Sequence, residues 1–263
     1  KDKNKCYGGP TKRVIGIDCS SVMWYNILKT SFTIVDDSKL QTIEEYIKKN
    51  SEYIWIGLMN EPNKVNTRAV GRAYAKTFKL LRSMNITNTL LVEGNYWAGL
   101  HAQIIPSGGT KGNISRPGAE SEGWVDAKDE GTAPCQIILE ELKKLNDDLG
   151  SWKYDVHQYV DIKSTGVFTC NNEGDSKVST LDDMKFMTNF EPFEKWAGAN
   201  HIRVFVSEFG AQIGSNGVRA GCDKRLNLFI QMIEESKVID GWTIWRNSPA
   251  VSWAKKDDVS WTN

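Results

Sequence analysis

Two glutamates follow strand-like apolar runs that lie far apart in the chain. Glu61 follows the run Tyr53–Met59 within Met-Asn-Glu-Pro, and Glu208 follows the run Ile202–Ser207 within Ser-Glu-Phe-Gly. If the fold brings them face to face, they form a carboxylate pair. One member of such a pair donates a proton and the other acts as nucleophile or base, which is the chemistry that cleaves a glycosidic bond.

Polar and aromatic residues also end the other apolar runs. They include Asn60, Asn95, Trp97, His157, Tyr159, Trp245 and Arg246. Because the C-terminal ends of parallel strands lie on one face of an α/β sheet, we expect these side chains to line one cleft. Each alone is weak evidence: a glutamate after a strand is usually a solvated surface residue, and a lone histidine is more often a core residue bonded to the backbone. Five strand ends with the same character favour a shared site.

Strand-like and helical patterns alternate along the chain. The strand-like runs are Val14–Asp18, Tyr53–Met59, Thr89–Val92, Tyr154–Tyr159, Ile202–Val206 and Ile239–Trp245. Helical spacing recurs between them, in Leu40–Ile47, Ala69–Leu81, Ile137–Leu145, Phe193–Trp196 and Leu226–Ile233. Strict alternation predicts a parallel sheet covered by helices. The six runs are fewer than the eight strands of a closed (β/α)8 barrel.

The segment His101–Ala133 is rich in Gly, Ser, Pro and charged residues. It predicts a long surface loop at the C-terminal end of a strand, where function concentrates in such folds. A tolerated insertion explains the composition equally well. We find no linker and no internal repeat, so the whole chain, residues 1–263, is interpreted as one domain.

Composition limits the classes of partner. The chain has 263 residues and a formal net charge of zero, which argues against nucleic acid or an anionic membrane as the main partner. No apolar run approaches the roughly 18 residues of a transmembrane helix. No Gly-rich phosphate loop follows a strand. Five cysteines without CxxC spacing and three histidines make a metal site unlikely on composition, so no metal or cofactor is expected.

The chain start gives two readings of localisation. No apolar signal core follows Lys1–Lys5, so the chain is either cytosolic or lacks a signal that has been removed. The sequons at Asn85 and Asn113 fit a secreted chain, although such triplets are common by chance.

Taken together, these motifs resemble glycoside hydrolase family 5, the cellulase family, and most closely its fungal-type endoglucanases. The resemblance covers roughly residues 13–253 and has both carboxylate motifs in the family's order. The matching strings are Ile56–Pro62, Gly94–Trp97, Asp155–Tyr159, Ser207–Gly210 and Gly241–Trp245.

The resemblance implies a (β/α)8-barrel type of fold and a retaining endo-β-1,4-glucanase acting on cellulose-like β-glucan. Glu61 would be the acid/base after barrel strand four, and Glu208 the nucleophile after strand seven. The resemblance also implies a secreted protein. Asn60 would bind the sugar 2-hydroxyl, His157 and Tyr159 would orient the nucleophile and substrate, and Trp245 would be a stacking platform. Asn95 and Trp97 complete the implied substrate-binding residues.

Cysteines in two loops of the family form a pair. By resemblance, Cys170 and Cys222 would form a disulfide that stiffens the rim of the cleft. Two unpaired thiols are the alternative.

The sequence also departs from the family's pattern. If the six runs are strands three to eight, the first two strands are missing, together with the cleft arginine of strand two. Ser20 and Ser21 occupy the positions of a His-Asn pair. An open sheet has exposed edges, which residues 1–12 or a second copy in a homodimer would cover. A relative that binds glucan without efficient cleavage is therefore the alternative function.

Overall fold

The computed structural model describes residues 44–63, 65–106, 127–129, 131–145, 150–166, 168, 170, 178–211, 213–214, 217–218 and 222–245. Several features discussed above lie outside these residues, namely the run Val14–Asp18, Ser20, Ser21, the sequon at Asn113, and Arg246.

Within the described residues, five parallel strands form the central sheet in the order β1-β2-β3-β4-β7. Their bounds are Ile56–Gly57 (β1), Leu90–Glu93 (β2), Trp152–Tyr159 (β3), Val204–Gly210 (β4) and Ile239–Ile244 (β7). A short antiparallel pair, β5 (Ile213–Gly214) and β6 (Gly217–Val218), lies between β4 and β7 in the chain. Sequential parallel neighbours require crossover connections, and these are mostly helical.

The helices occupy the connections between the strands. They are α1 (Thr67–Ser83), α2 (Leu100–Gln103), α3 (Pro134–Lys143), α4 (Leu181–Met187), α5 (Phe190–Ala199) and α6 (Cys222–Glu235), with a 3-10 turn at Ala127–Asp129. Helical residues at 44–49 precede β1. Among the described helices, none combines the length and apolar character needed to cross a bilayer.

Strand alternation divides the sheet into two faces. Val92, Tyr154 and Val206 belong to the main hydrophobic core, together with apolar residues of the helices. Neighbouring positions Glu93 and Asp155 are also buried, but they point to the opposite face because successive side chains of a strand alternate. The sheet therefore has an apolar outer layer and a polar inner layer.

The sheet is curled. Trp55, just before β1, packs edge-on against Phe205 of β4 with ring centroids 5.0 Å apart. Two strands separate β1 from β4 in the sheet, so this contact requires the inner face to be concave. The predicted architecture is confirmed: the described strands form part of a barrel-type sheet.

Some predicted boundaries were wrong. Only Ile56–Gly57 of the run Tyr53–Met59 is a strand, because the amides of Tyr53 and Ile54 instead bond to the carbonyl of Asn50 in a turn. By contrast, β4 continues to Gly210, since its partner β3 continues beside it as far as Tyr159.

The prediction of one surface loop over His101–Ala133 was wrong at its described ends. Residues Leu100–Gln103 form a helix, and Gln103 is fully buried. Asp129 is also buried and accepts hydrogen bonds from Arg68 of α1, with Nε–Oδ2 at 2.6 Å. These ends are therefore anchored to the body of the protein by packing and by a buried ion pair.

Candidate active site

Glu61 follows β1 in an unusual backbone conformation. Its φ is +47°, in the left-handed region that side chains other than glycine rarely adopt. Its amide donates a hydrogen bond to Glu93 Oε2 at 2.5 Å. Its Oε1 lies 2.8 Å from His157 Nδ1. Both the main chain and the carboxylate of Glu61 are therefore held by residues of neighbouring strands.

Glu208 lies within β4, where the ladder is irregular. Val156 pairs with Val206 and His157 pairs with Glu208, so Ser207 is an extra residue in β4. Glu208 is 7% exposed. The hydroxyl of Tyr159 donates to its Oε1 at 2.5 Å. Burial raises the pKa of Glu208 and Glu61 adds to this effect, whereas His157 and Tyr159 oppose it.

The fold brings the two glutamates together. One oxygen of Glu61, one of Glu208 and a ring nitrogen of His157 all lie within 4.8 Å of one another. Retaining glycosidases have carboxyl groups about 5–5.5 Å apart, whereas inverting enzymes leave about 6.5–9.5 Å for a water molecule. The close approach fits the retaining arrangement.

His157 lies at the centre of the site and is 2% exposed. Its Nδ1 faces Glu61, and its Nε2 lies 2.9 Å from Ser207 Oγ. The distance from Nδ1 to Glu208 Oε2 is 3.8 Å, so the direct partner of His157 is Glu61 rather than Glu208. Burial disfavours the charged ring, but Glu93, Glu61, Glu208 and Asp155 outweigh burial and raise the pKa of His157 to about 10.

Two further buried carboxyl groups lie beside His157, and the sequence analysis gave them no role. Burial, assisted by Asp155 and Glu61, raises the pKa of Glu93 to about 8 against the opposing effect of His157. Burial likewise raises the pKa of Asp155 to about 6, against His157 and the hydrogen bonds from Ser207. The sequence signal for Asp155 was strand alternation, because Asp155 and His157 are two residues apart in one strand and therefore share a face. The pairing of Glu93 with Asp155 is seen only in the structure.

Three of the predicted substrate-binding residues lie next to the two glutamates. Asn60 directly precedes Glu61 and is partly exposed. Trp97 is 46% exposed, and its amide donates to the carbonyl of Pro62 at 3.2 Å. Trp245 is partly exposed, and its amide donates to the carbonyl of Phe209 at 2.7 Å. These positions are compatible with contacts to a sugar.

Asn95 does not fit its predicted role. Its side chain is fully buried. Nδ2 donates to the Val65 carbonyl at 2.5 Å and to Thr67 Oγ1 at 3.0 Å, while Oδ1 accepts from the Tyr96 amide. These bonds tie the segment after β2 to the start of α1, so no face of Asn95 is open to a substrate.

The structure contains the Cys170–Cys222 disulfide that the resemblance implies, with Cα atoms 4.8 Å apart. It joins the segment after β3 to the start of α6. Cys135 is a buried free thiol.

Among the residues that the structure describes, two groups of side chains are close enough to hold a cation. They are Glu61, His157 and Glu208, and Glu93, Asp155 and His157. Both require His157 as a neutral ligand, whereas its carboxylate neighbours raise its pKa to about 10. A protonated ring cannot coordinate a metal, so a cation bound there would have to displace the proton of His157.

Comparisons with known proteins indicate the family of the chain. The family model described as cellulase, glycosyl hydrolase family 5, matches residues 24–251. Endoglucanase 1 from Robillarda sp. (strain Y-20) is 25% identical over 200 residues, which is 76% of this chain and 40% of that protein. The chain thus spans less than half the length of this relative.

Solved structures share the fold. A triple mutant of an endo-β-1,4-glucanase from Xanthomonas axonopodis pv. citri is 22% identical with a TM-score of 0.55, covering 82% of this chain and 55% of that one. The structure of XacCel5A in complex with cellopentaose is 24% identical with a TM-score of 0.54, again covering 82% and 55%. The family model covers most of the chain and includes both glutamates. This chain belongs to glycosyl hydrolase family 5, the cellulase family.

Proposed function

We propose that this chain contains the active site of a retaining endo-β-1,4-glucanase, with Glu61 as acid/base and Glu208 as nucleophile. The proposal rests on one observation: oxygens of the two glutamates lie within 4.8 Å of each other beside His157. The names of the relatives support the same reaction class.

In the first step, Glu208 attacks the anomeric carbon as a carboxylate. Its Oε1 accepts the hydrogen bond of Tyr159, and a hydrogen bond to the charged form favours that form. Glu61 donates its proton to the glycosidic oxygen as the bond to the leaving sugar breaks. The products are a glycosyl ester of Glu208 and a chain end with a free hydroxyl.

In the second step, water cleaves the ester. Glu61, now a carboxylate, takes a proton from the water that attacks the anomeric carbon, and Glu208 leaves as a carboxylate. Nδ1 of His157 lies 2.8 Å from Glu61 Oε1, a contact that holds the side chain of Glu61 in place for this step. Two displacements restore the original anomeric configuration.

Substrate recognition is assigned to the exposed residues around the pair. Asn60 would bind the 2-hydroxyl of the sugar, and Trp97 and Trp245 would stack on sugar faces. A β-1,4-glucan chain is the proposed substrate, in line with relatives named endoglucanases and with the cellopentaose bound to XacCel5A.

The test measures reducing-sugar release from carboxymethyl cellulose and the anomer first formed from cellopentaose by proton NMR. We expect β product from the parent and at least a thousandfold loss in Glu208→Gln. Glu191→Gln, a change at a 71% exposed side chain in the first turn of α5, is the matched control. An α product, or release that persists in Glu208→Gln, contradicts the mechanism.

Azide separates the roles of the two glutamates. With an activated aryl cellobioside, Glu61→Ala should be rescued to give the β-glycosyl azide, because azide replaces the water that Glu61 activates. Glu208→Ala should give the α-azide, because azide attacks in place of the missing nucleophile. The reverse pattern would exchange the two assignments.

The glucan-binding alternative is not favoured, since a binding protein has no need for two carboxylates with a tyrosine donor and a histidine arranged around them. Absence of release from the parent, with cellopentaose binding retained in calorimetry, would restore it.

We also propose a secreted protein whose sheet edges are covered by a second copy. A disulfide favours an oxidising compartment, and β1 and β7 are the outer strands of the described sheet. Light scattering during gel filtration should then give twice the chain mass. A monomer in which Val14–Asp18 pairs with β7 contradicts the dimer, and detection only in the cell lysate contradicts secretion.

A further inference from the structure

Glu93 makes two contacts that converge on the acid/base. It is the last residue of β2 and is 4% exposed. Its Oε2 accepts the amide hydrogen of Glu61 at 2.5 Å. Its Oε1 lies 3.7 Å from His157 Nε2, and the other nitrogen of the same ring contacts the Glu61 carboxylate.

The first contact lies where the backbone needs support. β1 ends at Gly57, and the amide of Leu58 still bonds to the carbonyl of Leu91. Glu61 then adopts a φ of +47°, which persists only when surrounding groups hold it. The hydrogen bond from the Glu61 amide to Glu93 stabilises the backbone directly at Glu61.

The second contact acts through the side chains. Glu93 and Glu61 face His157 from two elements, and Asp155 and Glu208 face it from β3 and β4. The ring thus lies between the acidic groups of Glu93 and Glu61, with Nε2 hydrogen-bonded to Ser207 Oγ at 2.9 Å and with Glu93 Oε1 at the longer distance of 3.7 Å. Glu93 is too buried to touch a sugar, so any effect on hydrolysis must pass through its contacts to Glu61 and His157.

We propose that Glu93 is a positioning residue for hydrolysis, which fixes the main chain of Glu61 by its Oε2 and the carboxylate of Glu61 through His157. This proposal rests on the proposed function, because it assigns Glu93 to the acid/base of that reaction. A misplacement of about 1 Å at a reacting group can cost roughly a hundredfold in rate.

The variants separate positioning from simple stability. Glu93→Ala removes the acceptor, and kcat on cellopentaose should fall about a hundredfold with KM nearly unchanged. Glu93→Gln retains an oxygen for the Glu61 amide, and kcat should stay within about tenfold of the parent. Glu141→Gln is the control, since Glu141 is equally buried at 3% but pairs with Arg68 and Lys144.

Azide rescue supplies the readout that a merely structural role would not change. The aryl group of an activated aryl cellobioside departs without needing a proton from the enzyme. Azide then replaces the base-activated water in the second step. Both Glu61→Ala and Glu93→Ala should therefore recover rate with azide, while Glu141→Gln should show no azide dependence. If Glu93→Ala fails to fold, Glu93→Asp withdraws the acceptor by one methylene and should show the same rescue.

The outcomes are distinct. Rescue of Glu61→Ala without rescue of a folded Glu93→Ala or Glu93→Asp overturns the positioning role and leaves the proposed function standing. A fall in kcat that is equal in Glu93→Gln and Glu93→Ala also overturns it. Failure to rescue Glu61→Ala, or an inactive parent, overturns the proposed function and the role of Glu93 with it.

Discussion

His157 connects the two proposed catalytic residues with the buried part of the site. One ring nitrogen contacts Glu61 and the other contacts Ser207. The amide of Ser207 in turn donates to Asp155 Oδ1 at 3.1 Å. The positive ring offsets part of the repulsion among carboxylates that would otherwise oppose their burial.

The hydroxyl of Tyr159 should be needed to keep Glu208 ionised. In Tyr159→Phe the donor to Oε1 is lost, and a hydrogen bond to a charged group is worth about 1.5–3 kcal/mol. We expect kcat/KM to fall roughly 10- to 100-fold and its acidic limb to move to higher pH. The pH–rate profile on cellopentaose measures both, with the exposed Tyr53→Phe as control. An unmoved acidic limb contradicts this role.

The extra residue in β4 determines which way Glu208 points. In a regular ladder Ser207 would pair with His157 and Glu208 with Gln158. Alternation would then turn the side chain of Glu208 toward the outer, apolar face. The irregularity instead pairs Glu208 with His157. Such bulges are known to redirect side chains next to active sites.

The end of β2 is packed too closely for a side chain at Gly94. An added Cβ would lie 1.8 Å from Gln103 Oε1 and 2.3 Å from the Tyr154 hydroxyl. Those two groups hydrogen-bond each other at 2.8 Å and join α2 to β3. Gly94→Ala should therefore lower the free energy of unfolding by about 3 kcal/mol.

Urea denaturation measures that loss, and Gly57→Ala is the control because nothing lies within 4 Å of its added Cβ. Equal stability of the two variants would contradict the packing argument.

The disulfide should stabilise the connection between β3 and α6. Its cysteines are 52 residues apart. In the loop-entropy model, opening the disulfide raises the entropy of the unfolded chain and lowers the free energy of unfolding by about 4 kcal/mol. We expect the double variant Cys170→Ser, Cys222→Ser to lower the urea midpoint. Cys135→Ser is the control, because it removes a thiol and leaves the disulfide intact. Mass spectrometry should show a gain of about two hydrogens on reduction; an unchanged mass contradicts the bond.

The stability of the whole molecule depends on the proton content of the polar inner layer. Asp155, Glu93 and His157 have pKa values raised by folding from 3.8, 4.5 and 6.5 to about 6, 8 and 10. A raised folded pKa means tighter proton binding in the folded state, so stabilisation is full below the unfolded pKa and is lost as pH rises through the folded value.

We therefore expect the free energy of unfolding to fall between about pH 4 and pH 10, by up to about 1.4 kcal/mol per pH unit for each proton that the folded state binds in excess of the unfolded state. Denaturation by urea at a series of pH values measures this slope. Glu93→Gln removes one of the titrating groups, so the stability of this variant should fall less steeply with pH below about pH 8. A stability that rises across this range contradicts the assignment.

Much of the architecture was predictable from local pattern. The period-2 and period-3.6 apolar repeats indicated the alternating strands and helices, because they report which face of each element is buried. One missed helix, α4, had a local signal as well: Thr180 and Asp183 form a capping box at its start. The short β1 was not predictable, since the turn at Asn50 competes with the strand for the same amides.

The sequence by itself determined the βα order and the place of the two glutamates near the C-terminal ends of two strands, whereas the pairing of Cys170 with Cys222 was implied by the family resemblance. Only the tertiary structure decided that His157 bonds to Glu61, that Asn95 is buried, and that Glu93 accepts the amide hydrogen of Glu61. Such contacts depend on how the elements pack against one another, and in the stagger between β3 and β4 one extra residue, Ser207, changes which side chains meet. Periodicity along a single strand contains no information about that stagger, because it is set by packing between strands.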